Sequence, residues 1–417
     1  MRRTIIHNVN VIDGRGGDPA RDVTVVIEGS RLRFIGRDGD IAADAKDHAE
    51  TIDGRGGFLL PGLVNCHEHL DNRRQTGPFQ ERAALPVSAL AIRATHNAIL
   101  SLCEGVTAIR DLGAKGQTNL QIRDAINSNA VPGPRVFACG MPLAITGGHA
   151  SPICRVADGV EEVQKAVREQ IRAGADFVKL MASGGFVSRG TDRPTSAQYS
   201  LDEMRAAFDE ARDAGLKTTV HAHPPTAIIR AVTAGVDCIE HAGLLDDEAA
   251  GLMASHGTYL VPTLSESWIM ATNGTNVGRP QWLVDASREH AEEQHVYFSR
   301  AVKAGLKMAV GTDVIGEMVP EMQLMAAGGL SNAQVIVAAT RNGAELIGRL
   351  GEFGTLEEGK LADMVLVRHN PLEDLAALEN IEITIKDGVT YVPAQVRQSL
   401  GLASPQLPKV PHLNRAA

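Results

Sequence analysis

Over its first sixty residues the chain alternates short β-branched runs with glycine and aspartate. TIIHNVNVID, DVTVVIEG, RLRFIG and ETIDGRGGFLLPG each read as a strand closed by a turn residue. The same texture returns near the other end as ADMVLVRH and ITIKDGVTYVP. Two distant stretches of one character predict a small β-sandwich built from both ends of the chain, residues 1–61 and 351–396, with the rest inserted between them.

From 62 to 350 the pattern changes. Short apolar runs recur as LVNCHEH, VTAIRDLG, RVFACG, DFVKLMAS, TTVHAH, CIEHAG, YLVPTL and KMAVGTD. Between them lie segments such as VEEVQKAVREQIRAG and LDEMRAAFDEARDAG, with apolar positions three or four apart and glycine at the end, which read as amphipathic helices. Strands that alternate with helices form a parallel sheet, and eight such units predict an α/β fold of the (β/α)8 TIM-barrel type. An open doubly wound sheet is the alternative, but no G-x-G-x-x-G follows the first strand. The polar, proline-containing segment 397–417 reads as a loose surface tail.

Composition narrows the function classes. A chain of 417 residues has room for one large α/β domain and a smaller one. Its net charge of −9 comes without a basic block, which speaks against a nucleic-acid partner. No run approaches the length of a membrane span, and the apolar stretch after the first arginines is too short for a signal peptide. The five cysteines are scattered and odd in number, with no C-x-x-C pair, as expected of small buried groups in a reducing compartment. The expectation is a cytoplasmic protein acting on a small-molecule substrate.

The candidate chemistry lies at the strand ends. His67 and His69 are two apart, and alternate residues of a strand share a face, so the two imidazoles can share one metal ion. A barrel of this kind carries its active site at the C-terminal ends of its strands. There the sequence puts Lys179 in FVKLMAS, His221 and His223 in TVHAH, His241 in IEHAG and Asp313 in VGTD. A lysine inside an apolar strand is costly unless something neutralises or ligates it.

PGLVNCHEH, ADFVKLMASGG, TVHAH, IEHAG, VGTD and the closing GKLADMVLV together resemble the amidohydrolase superfamily over nearly the whole chain. Within it the chain looks most like the prolidase-like or imidazolonepropionase-like branch of metal-dependent dipeptidases. The resemblance implies metal ligation by His67, His69, Lys179, His221, His241 and Asp313, with Lys179 carboxylated. CO2 added to the lysine nitrogen gives a carbamate whose two oxygens bridge two divalent ions and removes a buried positive charge. His67, His69 and Asp313 would hold one ion, and His221 and His241 the other. Zinc suits such ligands, and cobalt, manganese and nickel are admitted. A metal-activated hydroxide would attack, with Asp313 passing its proton to the leaving amine.

Around this set, His149 in TGGHAS matches a TGGH of the resembled dipeptidases and is expected to meet the substrate's carboxylate. His223 is expected as a further substrate contact, and Gly184 and Gly185 as points of close backbone approach. Tyr199 is either a substrate contact or a hydrophobic staple against Met204, preceding a capping box of Ser200 and Glu203. His96, His256, His290 and His295 read as solvated or core groups. Arg73, Arg74 and Arg82 follow the first strand where relatives are more apolar. They read as a solvated loop, or as contacts to an acidic substrate.

The function this predicts is a binuclear metal amidohydrolase cleaving a dipeptide or N-acyl amino acid, in a homo-oligomer as is common among relatives. The alternatives are the same machinery acting on a non-peptide amide, carbamate, lactone or other ester, including a xenobiotic, a mononuclear deaminase of the superfamily, or a non-catalytic metal-binding protein. Lys179 argues against the deaminase, and the complete ligand set against the last.

Overall fold

The structure, a computed structural model, describes residues 2–41, 48–72, 79–186, 192–314, 316–402 and 410. Four strands open the chain, β1 (Arg3–Val11), β2 (Ala20–Glu28), β3 (Arg31–Gly36) and β4 (Glu50–Pro61). The middle contributes β5 (Leu63–Glu68), β6 (Val106–Asp111), β7 (Arg135–Ala138), β8 (Leu143–Ala144), β9 (Arg155–Val156), β10 (Phe177–Met181), β11 (Lys217–Ala222), β12 (Cys238–His241) and β13 (Tyr259–Val261). Three more follow, β14 (Met364–Val367), β15 (Ile381–Lys386) and β16 (Val389–Tyr391).

Strands from the two ends join in one seven-stranded sheet of order β16-β15-β14-β4-β1-β2-β3. β4 is its seam, parallel to β1 and antiparallel to β14. The strand pairing thus makes a single sheet where the sequence predicted two facing ones. Alternation places Val25 and Ile27 in a core with Leu59 and Met364, while Val26 meets Ile5 and Ile41 on the opposite side. The helix Pro393–Ser399 also runs into the segment expected to be a loose tail.

The middle region is α/β, and every strand pair in it is parallel. One arc runs β5-β6-β7, another β13-β12-β11-β10-β8-β9. Main-chain hydrogen bonds cross both gaps between the arcs. The Asp176 N–H donates to the Ala138 carbonyl at 2.8 Å, beside β10. On the other side, Leu260 N–H donates to Lys307 O at 2.9 Å and Cys66 N–H to Val310 O at 2.8 Å. The KMAVGTD run therefore sits between β13 and β5, tied mainly by single bonds and the bridge Leu260–Met308.

The helices follow from local chemistry. Val160–Arg172 buries Val163, Ala166, Val167 and Gln170 on one face, with Glu161 and Glu162 at its positive end and Arg172 at its negative end. Leu201–Asp213 starts at the expected capping box: Ser200 Oγ accepts the Glu203 N–H at 3.3 Å, and Glu203 Oε2 accepts the Ser200 N–H at 2.7 Å. Its Phe208 is fully buried, and truncation to alanine would cost about 3–5 kcal/mol. These helices hold the strands so that their C-terminal ends open on one cavity. Among the described residues no helix is long and apolar enough to cross a membrane.

Candidate active site

His67 and His69, at the end of β5, converge on Asp313. Each Nε2 lies 3.5 Å from Asp313 Oδ1. The other ring nitrogens are held from behind, His67 Nδ1 by Glu240 Oε2 at 2.8 Å and His69 Nδ1 by the Gly113 carbonyl at 2.7 Å. With Nδ1 donating, both Nε2 lone pairs face the cavity, as a metal ligand requires. Asp313 is fixed by its own N–H, which donates to the His67 carbonyl at 2.7 Å.

His241 lies against this group, its ring centroid 4.8 Å from that of His67 and 4.6 Å from that of His221. Its Nδ1 is 2.6 Å from Thr263 Oγ1. His221 is oriented differently, with Nε2 3.2 Å from the Gly184 carbonyl. Both Asp313 (φ 63°) and His241 (φ 71°) are in left-handed backbone conformations. Such a conformation costs a non-glycine residue on the order of 1–3 kcal/mol and is tolerated where the surroundings over-determine it. At His241 it breaks the alternation of β12, so that consecutive Glu240 and His241 both reach the His67 side.

Lys179 sits in β10 at 2 % exposure and, among the described residues, makes no ion pair. Burial pushes its pKa down. Burial likewise pushes His69 down to about 3, and His221 and His241 well below the ordinary imidazole range, so these rings are neutral at pH 7. Burial works against ionisation of Asp313 too, but His67, His69 and Lys179 outweigh it and hold the carboxyl below its usual value. Glu240 follows the same logic: burial opposes its charge, while Arg110 and His67 overcome that and keep it ionised. Arg110 and the Thr219 hydroxyl both donate to Glu240 Oε1. A pre-oriented donor set around an anionic carboxylate, with a desolvated lysine alongside, fits a divalent cation. One ligand atom each from His67, His69 and Asp313 lies within 4.8 Å of the others.

These groups line a cavity of about 290 Å3 together with His149, Phe186, His223, Trp282, His290 and Arg82. His149 stacks on His221, with centroids 4.2 Å apart, and its Nδ1 is 3.1 Å from Asp192 Oδ2. Gly185 makes room for that ring, because a Cβ there would collide with it.

Tyr199 is not on the cavity wall. Its hydroxyl donates to the Ala157 carbonyl at 3.1 Å and its ring shares the core with Met204, so the structure corrects the substrate-contact reading in favour of a packing role. Arg82 is corrected in the opposite sense. It is buried, with Nη1 3.5 Å from Asp71 Oδ1, and is no part of a solvated loop. Arg73 and Arg74 lie outside the described residues. Sequence reasoning missed Glu240 and His290. Glu240 carried a signal, an acid in an apolar strand next to a candidate ligand, which only a partner such as Arg110 makes tolerable.

The sequence model described as the Amidohydrolase family matches residues 58–391. An ochratoxinase from Aspergillus niger is 32% identical over 410 residues, covering 90% of this chain and 83% of that protein. Among solved structures, a prolidase complexed with N-methylphosphonate-L-proline superposes with a TM-score of 0.85 at 33% identity, covering 94% of this chain and 99% of that one. A Xaa-Pro dipeptidase with bound methionine in its active site gives 0.84 at 33% identity, covering 94% and 100%.

Proposed function

The chain belongs to the amidohydrolase family, and from that membership we propose a hydrolase that uses two divalent ions to cleave the amide bond of a dipeptide or N-acyl amino acid. The observation that carries the reading is the convergence of His67 Nε2 and His69 Nε2 on Asp313 Oδ1, each at 3.5 Å with its other ring nitrogen already occupied. The backbone hydrogen bonds that link eight parallel segments around this site support a (β/α)8 barrel.

In this reading His67, His69 and Asp313 would hold one ion, and His221 and His241 the other. Lys179, its neutral amine taking up CO2 with loss of a proton, would serve both ions as a carbamate, which would relieve the burial of an unpaired ammonium. Zinc suits these ligands. Bound ions would polarise the scissile carbonyl and lower the pKa of a water molecule. The protein's own part is positional and acid–base. Asp313 accepts the proton of the attacking water and returns it to the leaving nitrogen. Glu240 keeps His67 in the tautomer that turns Nε2 to the cavity. His149, set by Asp192 and stacked on His221, is placed for the substrate's carboxylate, with His223 beside it.

Two relatives hold an amino acid or a proline derivative, which supports this substrate class. Similarity to ochratoxinase over 90% of the chain favours a second reading, in which the same groups act on a non-peptide amide, carbamate, lactone or ester outside the N-acyl amino acids. Metal analysis together with hydrolysis of a library of dipeptides and N-acyl amino acids tests the proposal. Two ions per chain with release of amino acids are expected. Two ions with no turnover on any member would remove this substrate class and leave the second reading.

A further inference from the structure

Past His221 and His241 the cavity continues into a recess that the proposed chemistry touches only through His223. Three rings make it: His223 after β11, Phe186 after Gly185, and His290 from the helix Gln281–Lys303. Phe186 lies nearly face to face with His290, centroids 3.5 Å apart and planes at 18°. It meets His223 edge-on at 4.8 Å, and the two imidazoles stand perpendicular at 6.2 Å.

Both imidazoles are buried, and Nδ1 of each has no hydrogen-bond partner. A buried polar nitrogen left without a partner is destabilising, and two of them occur in side chains that line this one cavity. The main chain packs closely behind the two imidazoles, and only glycine fits there. A Cβ on Gly243 would stand 2.7 Å from His223 Nδ1 and 2.8 Å from His290 Cε1. Burial pushes His290 down to about 4, so that ring is neutral at pH 7 and favours an uncharged partner over a carboxylate.

We propose that Phe186, His223 and His290 form a subsite for an uncharged planar group of the substrate, an aromatic ring or conjugated amide. Such a group packs on the Phe186–His290 pair beside the edge of His223. The inference rests on the proposed hydrolase only in placing the recess beside the scissile bond. The subsite itself can be tested by binding alone.

The probe is benzamide, compared with cyclohexanecarboxamide, which keeps the amide and loses the flat ring. Calorimetric titration of the metal-loaded full chain is expected to show benzamide binding about 2- to 12-fold more tightly, the increment an aromatic contact supplies. Phe186→Leu and His290→Leu should each reduce that preference, while Ile92→Ser on the exposed surface leaves it unchanged. Equal affinity of the wild type for the two amides, or binding of neither, overturns the subsite, as does a preference that survives both cavity variants. Should the variants not fold, the wild-type comparison decides. A protein that prefers benzamide yet hydrolyses no amide keeps the subsite and loses the proposed reaction. One that cleaves dipeptides without the preference loses the subsite alone.

Discussion

His67 Nδ1 stands 2.8 Å from Glu240 Oε2, and that bond decides which ring nitrogen faces Asp313. The carboxylate cannot be a free spectator, because Arg110 and Thr219 share its other oxygen in a fully buried site. Glu240→Gln keeps the volume but removes the charge that compensates Arg110. The variant should bind metal about 10- to 100-fold more weakly, the usual effect of losing a carboxylate behind a ligating histidine. It should also unfold about 3–5 kcal/mol more easily, because a buried guanidinium loses its partner. Chelator competition and urea titration measure the two effects. Unchanged values in both would show that Glu240 does not orient His67.

Lys179 is the sharper test of the metal count. Lys179→Ala removes the proposed bridge and leaves the hydrogen bonds of Glu240 to His67, Arg110 and Thr219 in place. We expect metal content to drop and kcat/KM to fall by more than the roughly 10- to 100-fold that an outer partner costs. Full occupancy and full activity in this variant would exclude a bridging role.

Much of this site was legible in the sequence because strand geometry is regular. Alternation puts His67 and His69 on one face, and the end-of-strand rule gathers Lys179, His221, His241 and Asp313. Three features defeat that logic. The left-handed conformation at His241 brings the preceding Glu240 to the same side, which a strict period of two denies. His290 belongs to a long polar helix, and only the closure of that helix over the cavity buries it. Arg82 looks like a loop charge until its burial beside Asp71 is seen. The two chain ends were readable as strands, but whether seven strands form one sheet or two is set by β4, which pairs with both β1 and β14.

Two glycines separate the metal from the substrate side. A Cβ on Gly311 would come within 2.6 Å of His67 Cβ, whereas one on Gly185 would strike the His149 ring. Gly311→Ala should therefore lower metal content and cost about 1–3 kcal/mol of stability by overpacking. Gly185→Ala should leave metal content intact and raise KM. The same response from both variants would contradict separate roles for His67 and His149.

Stability should depend on pH through two buried groups that are not proposed ligands. Burial pushes His290 down to about 4 from 6.5, so between these values the unfolded chain binds the extra proton and stability falls as pH drops, by up to ~1.4 kcal/mol per pH unit. Glu321 has the opposite sign. Burial pushes it up to about 7 from 4.5, and the stability of its protonated form is lost as pH rises through that window. His290→Leu should therefore lose less stability than the wild type from pH 7 to 5, and Glu321→Gln less from pH 5 to 8. Urea midpoints across that range decide it, and slopes identical to the wild type would rule out burial as the cause.

The most direct test of the central claim is the number of divalent ions bound per chain, counted by elemental analysis for the wild type and for Lys179→Ala. The account predicts about two in the wild type, fewer in the variant, and amide hydrolysis that declines with them. A single ion in the wild type, unaffected by loss of Lys179, would contradict it.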